Sequence, residues 1–311
     1  MPKNKKRFKI LTWFTVLGLL VISGCLIGVG DVTGARAKGE RLLKMQASPQ
    51  WNPDKETFDN RLKRVDGSWF EMTGKFFFGG SSHREPMDDF AFQTPPPTDY
   101  STPPDSGLRI TWMGHSSFLI ELDGTRTLVD PIWSERASPF TWAGPKRFFE
   151  PPITIDQLPP LDAVIISHDH YDHLDRDTVV TLAREGLQWL VPMGVGAHLE
   201  HWGIASEHIV ELDWWDNRKI GNVTITATPS RHFSGRAITF TDQNATLWAG
   251  WSWQGPTRSV FYSGDTALHN EFQAIGERLG PFDVTLMEVG AYNQLWADVH
   301  LGPEQAVLAH R

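Results

Sequence analysis

The sequence predicts an α/β fold, two sheets between helices, on three observations. Short apolar or alternating runs recur from Leu108 onward, helix-like stretches are interspersed among them, and one apolar run ends in a polar turn dense in histidine and carboxylate. Mixed short strands and helices bury their apolar faces by packing as layers. Periodicity alone establishes the α/β mixture; the order of the layers needs further information.

The elements run in chain order. Gly39–Met45 has the spacing of a short helix. Pro95–Pro97 and Pro103–Pro104 impose extended backbone before the main domain, since proline fixes φ and lacks an N–H. Leu108–Trp112, Phe118–Leu122 and Arg126–Val129 read as consecutive strands, with Asp123-Gly124 as a hairpin turn. Ala163–Ser167 is a continuous buried-type strand. Asp177–Glu185 is helix-like, acidic at its start and stopped by Gly186. Asn222–Ala227 alternates, Ser259–Tyr262 is apolar, and His269–Leu279 has helical spacing. Pro303 is suited to open a last helix.

The 311 residues suffice for one large domain with extras or for two ordinary ones. Forty per cent apolar and 21% charged content is that of a globular protein. Fourteen Trp and 18 Phe form a heavy aromatic load, suited to a core and, in part, to a lipid–water boundary. Five Lys and Arg with no acid occupy the first nine residues, yet the net charge is −8, so the body is strongly acidic. That argues against nucleic acid as a partner, which needs a basic footprint.

Ile10 to Gly30 is uncharged and mainly apolar. It is long enough to cross a bilayer, which takes about 20 residues. Basic residues stay cytoplasmic, so a membrane anchor here would place the body on the periplasmic side of the inner membrane. Two alternatives stand beside it. A cleaved signal peptide has a shorter apolar region, and Ile22-Ser23-Gly24-Cys25 resembles a lipoprotein processing box. All three export the body. With Cys25 the single cysteine, no intrachain disulfide forms. The expected organisation is an anchor or signal segment over 1–30, a connector and accessory segment over 31–105, and the main domain over 106–311.

Ser167-His168-Asp169-His170-Tyr171-Asp172-His173 carries the chemistry. It places three histidines and two carboxylates within six residues at the end of a strand. His168 and His170, two apart, converge on one metal in an extended turn, and Asp172 and His173 come closely enough after them to reach a second. Imidazole and carboxylate are the ligands zinc favours, and a solvated surface loop has no need for this density.

His-x-His-x-Asp-His after a strand resembles the signature of the metallo-β-lactamase-fold hydrolases. Upstream, Trp112–Ser117, Leu128–Ser134, Gly144–Phe148 and Pro151–Pro159 continue the likeness. Downstream, Pro229–Phe233, Tyr262–Thr266 and Gly290–Tyr292 do the same. The order of these motifs is similar to the branch containing N-acylphosphatidylethanolamine phospholipase D and its bacterial relatives, over roughly residues 106–311. The resemblance implies an αββα sandwich and a two-zinc site. His168, His170 and His232 would hold the first ion, Asp172 and His173 the second, and Asp265 would bridge them. Zinc lowers the pKa of a bound water toward ~7, so a nucleophile forms without an activated serine. No Gly-x-Ser-x-Gly elbow is present.

Asp172 and His300 are the candidate catalytic residues, His300 by its implied place at the pocket mouth. Asp130 and His115 are candidates to support the ligands by hydrogen bonding. Tyr292 and Trp296 are read as pocket walls or as core aromatics. His83, His198, His201, His208 and His269 have no ligand-like context. The family completes its site with a further histidine on a strand beyond the helix at Pro303. The sequence stops at Arg311 within that helix, so the fold is expected to be C-terminally incomplete and the second ion short of a ligand. The implied activity is phosphodiester hydrolysis of an N-acyl phosphatidylethanolamine-like lipid. A lactonase of the ascorbate-6-phosphate type and a non-catalytic envelope protein are the alternatives.

Overall fold

The structure, a computed structural model, describes residues 30–62, 100–183, 186–290 and 293–311. The anchor expected over Ile10–Gly30 lies outside these residues but for Gly30, as do His83, Tyr292 and the Pro95–Pro97 run. Among the described residues, no helix is long and apolar enough to cross a membrane.

Helix α1 (Gly39–Gln46) and a two-stranded ribbon of β1 (Trp51–Asn52) and β2 (Thr57–Phe58) precede the main body. A six-stranded sheet then runs β3 (Leu108–Gly114), β4 (Ser117–Leu122), β5 (Thr125–Val129), β6 (Ala163–Ile165), β7 (Gln188–Pro192) and β8 (Ile209–Leu212) in spatial order. Its first three strands are antiparallel and the rest parallel. The β4–β5 hairpin turns on Asp123 and Gly124 at φ 47° and 83°. Positive φ at both positions is what a two-residue turn matched to strand twist requires. Helices α2 (Arg176–Leu182) and α3 (Gly196–His201) are carried by the connections that flank β7. Asp175 caps α2 by accepting from the Asp177 amide.

The second sheet has the order β13 (Val284–Leu286), β12 (Ser259–Tyr262), β11 (Gly250–Gln254), β10 (Val223–Thr228) and β9 (Asn217–Ile220). It is antiparallel except between β12 and β13. Helix α4 (Glu271–Leu279) leads into β13, and α5 (Pro303–His310) begins at Pro303.

Alternation along the strands sorts the core into two layers. Ile120, Leu122, Val129, Ala163 and Ile165 face the second sheet, where they meet Ile225, Ala227, Trp251, Trp253 and Tyr262. Leu119, Leu128, Val164 and Val191 point the other way, onto Val179 and Leu182 of α2 and Leu199 of α3. On the far side of the second sheet, Phe272 of α4 packs edge-on against Phe261, and Gln254 Nε2 donates to the Leu279 carbonyl. The layers are helix, sheet, sheet, helix.

Indole N–H groups join the sheets through polar bonds inside this apolar layer. Trp251 Nε1 donates to the Ile166 carbonyl at 3.1 Å, and Trp253 Nε1 to Thr127 Oγ1 at 3.1 Å. Both rings are buried, so each N–H needs its partner. Trp251→Phe is expected to lower stability by about 1–3 kcal/mol, since it breaks that bond and shrinks a packed ring. Denaturant unfolding of the variant against wild type measures this.

His269 packs flat against Phe272 at 4.3 Å, and its Nδ1 accepts from the Glu271 amide. Burial, then Arg231 and Arg61, push it down to about 4. An unfolded histidine titrates near ~6.5, so between these values the unfolded chain takes a proton that the folded one refuses. Its contribution to stability is therefore present above pH ~6.5 and lost as pH falls toward 4, at up to ~1.4 kcal/mol per pH unit. His269→Phe keeps the ring stack and is expected to flatten this part of the pH–Tm curve.

Candidate metal centre

The histidine loop leaves β6 and is aimed by hydrogen bonds made where that strand ends. Asp130, at the end of β5, accepts from the Ser167 amide and from Ser167 Oγ, both at 2.6 Å. It also accepts from Tyr262 Oη at 2.7 Å, across the sheet interface, and bonds His173 Nδ1 at 2.8 Å. Asp130 is fully buried with φ 40°, a conformation held only because the surroundings fix it. The second sheet supplies His232 after β10 and Asp265 after β12. Gly264 lets Asp265 turn in: at φ 58°, a Cβ there would lie 2.7 Å from the Ala249 carbonyl oxygen.

Three imidazoles converge. His170 Nδ1 lies 2.8 Å from His168 Nε2 and 3.3 Å from His232 Nε2. The outer nitrogens of His168 and His232 are occupied elsewhere. His232 Nδ1 donates to the Val299 carbonyl at 2.8 Å, and His168 Nδ1 to Ser167 Oγ at 2.9 Å. Those bonds fix the tautomers, so unprotonated Nε2 atoms point inward. Lone pairs facing one another at such distances repel unless a proton or cation lies between them.

Alongside, His173 Nε2 is buried without a hydrogen-bond partner of good geometry. It faces Asp265 Oδ1 at 3.3 Å and Asp172 Oδ2 at 3.8 Å. The other Asp265 oxygen faces His168 Nε2 at 4.0 Å and His232 Nε2 at 3.8 Å. One carboxylate thus stands between two groups of donors, His168, His170 and His232 on one side and His115, Asp172 and His173 on the other.

The electrostatics divide in the same way. Burial and the neighbouring imidazoles hold His168 well below its ordinary value; burial, with His300, does the same for His232, and burial lowers His170. These rings are neutral donors near pH 7. At His173 burial is outweighed by Asp265, Asp172 and Asp130, which raise it well above the ordinary value. Asp265 stays ionised despite its burial, and so does the more open Asp172, both lowered chiefly by His173. Neutral imidazoles beside an anionic field suit a divalent cation.

His115 is exposed, at φ 46°, with Nε2 3.1 Å from Asp172 Oδ2. His300 joins His232 and Asp265 from the far side, with Nδ1 3.8 Å from Asp265 Oδ2. Half-buried Trp296 lies beside His300, not in the core. His310 bonds Thr285 Oγ1 and takes no part. His198 and His269 are buried outside these groups.

Glu288 is a member of the site that sequence pattern does not single out. It lies just after β13, is buried, and its carboxylate is 2.9 Å from His300 Nδ1 while accepting from the Thr266 amide at 2.6 Å. Burial, with the nearby Asp265 charge, pushes it up to about 7. His300, lowered by burial but raised more by Glu288 and Asp265, sits at about 8. The one signal in the sequence is an acid directly after a short apolar strand.

A family model described as the beta-lactamase superfamily domain matches residues 125–311. The chain belongs to the beta-lactamase superfamily. It is 50% identical over 208 residues to an uncharacterized protein of Mycobacterium tuberculosis, covering 66% of this chain and 55% of that one. It is 38% identical over 219 residues to N-acyl-phosphatidylethanolamine-hydrolyzing phospholipase D 1 of Caenorhabditis elegans, covering 67% of this chain and 61% of that one. The chain therefore spans little more than half the length of these curated relatives. Among solved structures, isothiocyanate hydrolase from Delia radicum gut bacteria aligns with TM-score 0.52 at 20% identity, covering 64% of this chain and 78% of that structure. That likeness shows the fold alone. The superfamily fold implies a divalent metal, and the histidine and aspartate groups are candidates to hold it.

Asp130→Asn places an amide N–H₂ where a carboxylate now receives four bonds, which disturbs the His173 tautomer. Metal affinity is expected to fall about 10–100-fold, read by chelator competition. An unchanged affinity would show that Asp130 does not support the site.

Proposed function

We propose that the protein is a dinuclear zinc phosphodiesterase that cleaves N-acyl phosphatidylethanolamine-like lipids. The observation that carries this reading is the placement of Asp265, with one oxygen toward each group of donors. His168, His170 and His232 would hold one ion, Asp172 and His173 the other, and Asp265 both. Such a pair supplies Lewis acidity for phosphoryl oxygens and a water acidic enough to ionise near neutral pH.

The protein's own residues do the rest. Asp130, Ser167 and the Val299 carbonyl hold the imidazoles in the tautomers that present lone pairs inward. Glu288 engages His300 Nδ1, which leaves Nε2 to hold or release a proton beside the site. An alkoxide leaving a phosphodiester needs such a proton. Beside His115, Trp112 donates its indole N–H to the His115 carbonyl and is 45% exposed. Exposed aromatic surface there favours a substrate with apolar chains over a small polar ester. The likeness to the nematode phospholipase D supports the same substrate class.

Zinc-loaded protein is expected to carry about two ions per chain. It should cleave bis-(p-nitrophenyl) phosphate, release phosphatidic acid and an N-acylethanolamine from the lipid, and spare lactones. His168→Ala and Asp172→Ala are each expected to cut these rates on the order of 100-fold or more at matched metal loading, because each removes a ligand of the group that generates the nucleophile. Lactone hydrolysis without phosphodiester cleavage would overturn the reading in favour of a lactonase.

A further inference from the structure

Arg236 is 2% exposed, and neither the metal site nor the family likeness gives it a task. Burying a guanidinium is costly unless its donors are met. Here Nη1 and Nη2 donate to carbonyls of particular residues, while Nε stays without a hydrogen-bond partner. Nη1 donates to the Asp169 carbonyl at 2.6 Å and to the Leu174 carbonyl at 2.7 Å. Those two positions bracket His170, Asp172 and His173. Nη2 donates to the Val32 carbonyl at 3.0 Å, in the segment before α1. The guanidinium carbon lies 4.2 Å from the Tyr171 ring centre and 5.1 Å from that of Trp202, within cation–π range. Tyr171 Oη donates back to the Arg236 carbonyl at 2.7 Å.

The surrounding bonds serve the same loop. Between His168 and His170, the Asp169 carboxylate accepts from the Gly235 amide at 2.8 Å and from Thr246 Oγ1 at 2.9 Å. These bonds tie the loop that carries His168 and His170 to the one that carries His232. The segment around Val32 is held independently. Trp202 Nε1 donates to the Asp31 carbonyl at 2.7 Å, the Ala35 amide donates to His198 Nδ1 at 3.1 Å, and Arg176 pairs with Asp31 at 2.5 Å.

We infer that Arg236 is a positioning residue for the metal centre, and that it does this by strapping the Asp31–Ala35 segment across both ends of the histidine loop. The inference rests on the ligand assignment proposed above. A flat guanidinium can hold several carbonyls at fixed angles where a single ammonium cannot. The segment that the sequence presents as a connector thereby becomes part of the structure that supports the ligands.

The test compares wild type with Arg236→Met, Arg236→Lys, Thr246→Val and His168→Ala in the full chain. Zinc affinity is read by chelator competition, with the melting temperature of the metal-stripped proteins and amide exchange at Ala35 alongside. Arg236→Met keeps the stem between the two rings and loses every donor. It is expected to weaken zinc binding about 10–100-fold, with faster exchange at Ala35, and Arg236→Lys to recover part of both. Thr246→Val, which removes one donor to Asp169, is expected to weaken binding several-fold and carries the test alone if Arg236→Met does not fold. A lower melting temperature with wild-type zinc affinity in Arg236→Met, or in Thr246→Val where only that variant folds, would make Arg236 a core residue and overturn the inference. Weakened affinity with unchanged Ala35 exchange would overturn the strap. Should wild type bind no zinc, or His168→Ala bind it as wild type does, the ligand assignment fails, and the inference with it.

Discussion

The bonds around Asp130 are the constraint on which the site depends. A single buried carboxylate receives the Ser167 amide and hydroxyl from the end of β6, Tyr262 Oη from β12, and His173 from the loop. It therefore fixes the first strand end against the second sheet and orients a ring in the same arrangement. An apolar core alone tolerates small slippage between sheets, because burial is non-directional. Directional bonds to a buried charge do not. The indole bonds of Trp251 and Trp253 repeat the principle deeper in the sandwich.

From this frame the site divides into a neutral half and an anionic half, with Asp265 between them. Four ring nitrogens, each fixed by a bond on its far side or by a neighbour, present lone pairs or a buried unpartnered atom to the interior. Burial, and after it the charge of Asp265, raises Glu288 to about 7. A nearby cation reverses this logic, since it favours ionised carboxylates and unprotonated imidazoles together.

Much of this is legible from local pattern. The Asp123-Gly124 turn, the strand Ser259–Tyr262 and the histidine-rich turn after Ala163–Ile165 each announce themselves within a few residues. Helix ends shift slightly: spacing puts His269 inside the helix, yet α4 opens at Glu271, with the His269 ring accepting from the first amide. β7, β8, β9, β11 and β13 are not marked by pattern. They are short, and β9 (Asn217–Ile220) is exposed over most of its length. Glu288 has only its place after a short apolar strand to mark it, and Arg236 has no local signature, because its partners lie across the chain: it reaches back 67 residues to Asp169 and 204 to Val32. A buried charge held by distant carbonyls leaves nothing periodic to read.

The donors around the site come from both sheets, His168 to His173 from one and His232 and Asp265 from the other. An ion gripped by all of them would act as a removable cross-link, closing loops of roughly 60 to 100 residues in a chain that has a single cysteine and so forms no disulfide within itself. Its binding energy would then be shared between chemistry and cohesion. The spacing of the two layers becomes something the ion helps to set, and swapping it for one of different radius would strain the sandwich itself as well as the reaction it serves.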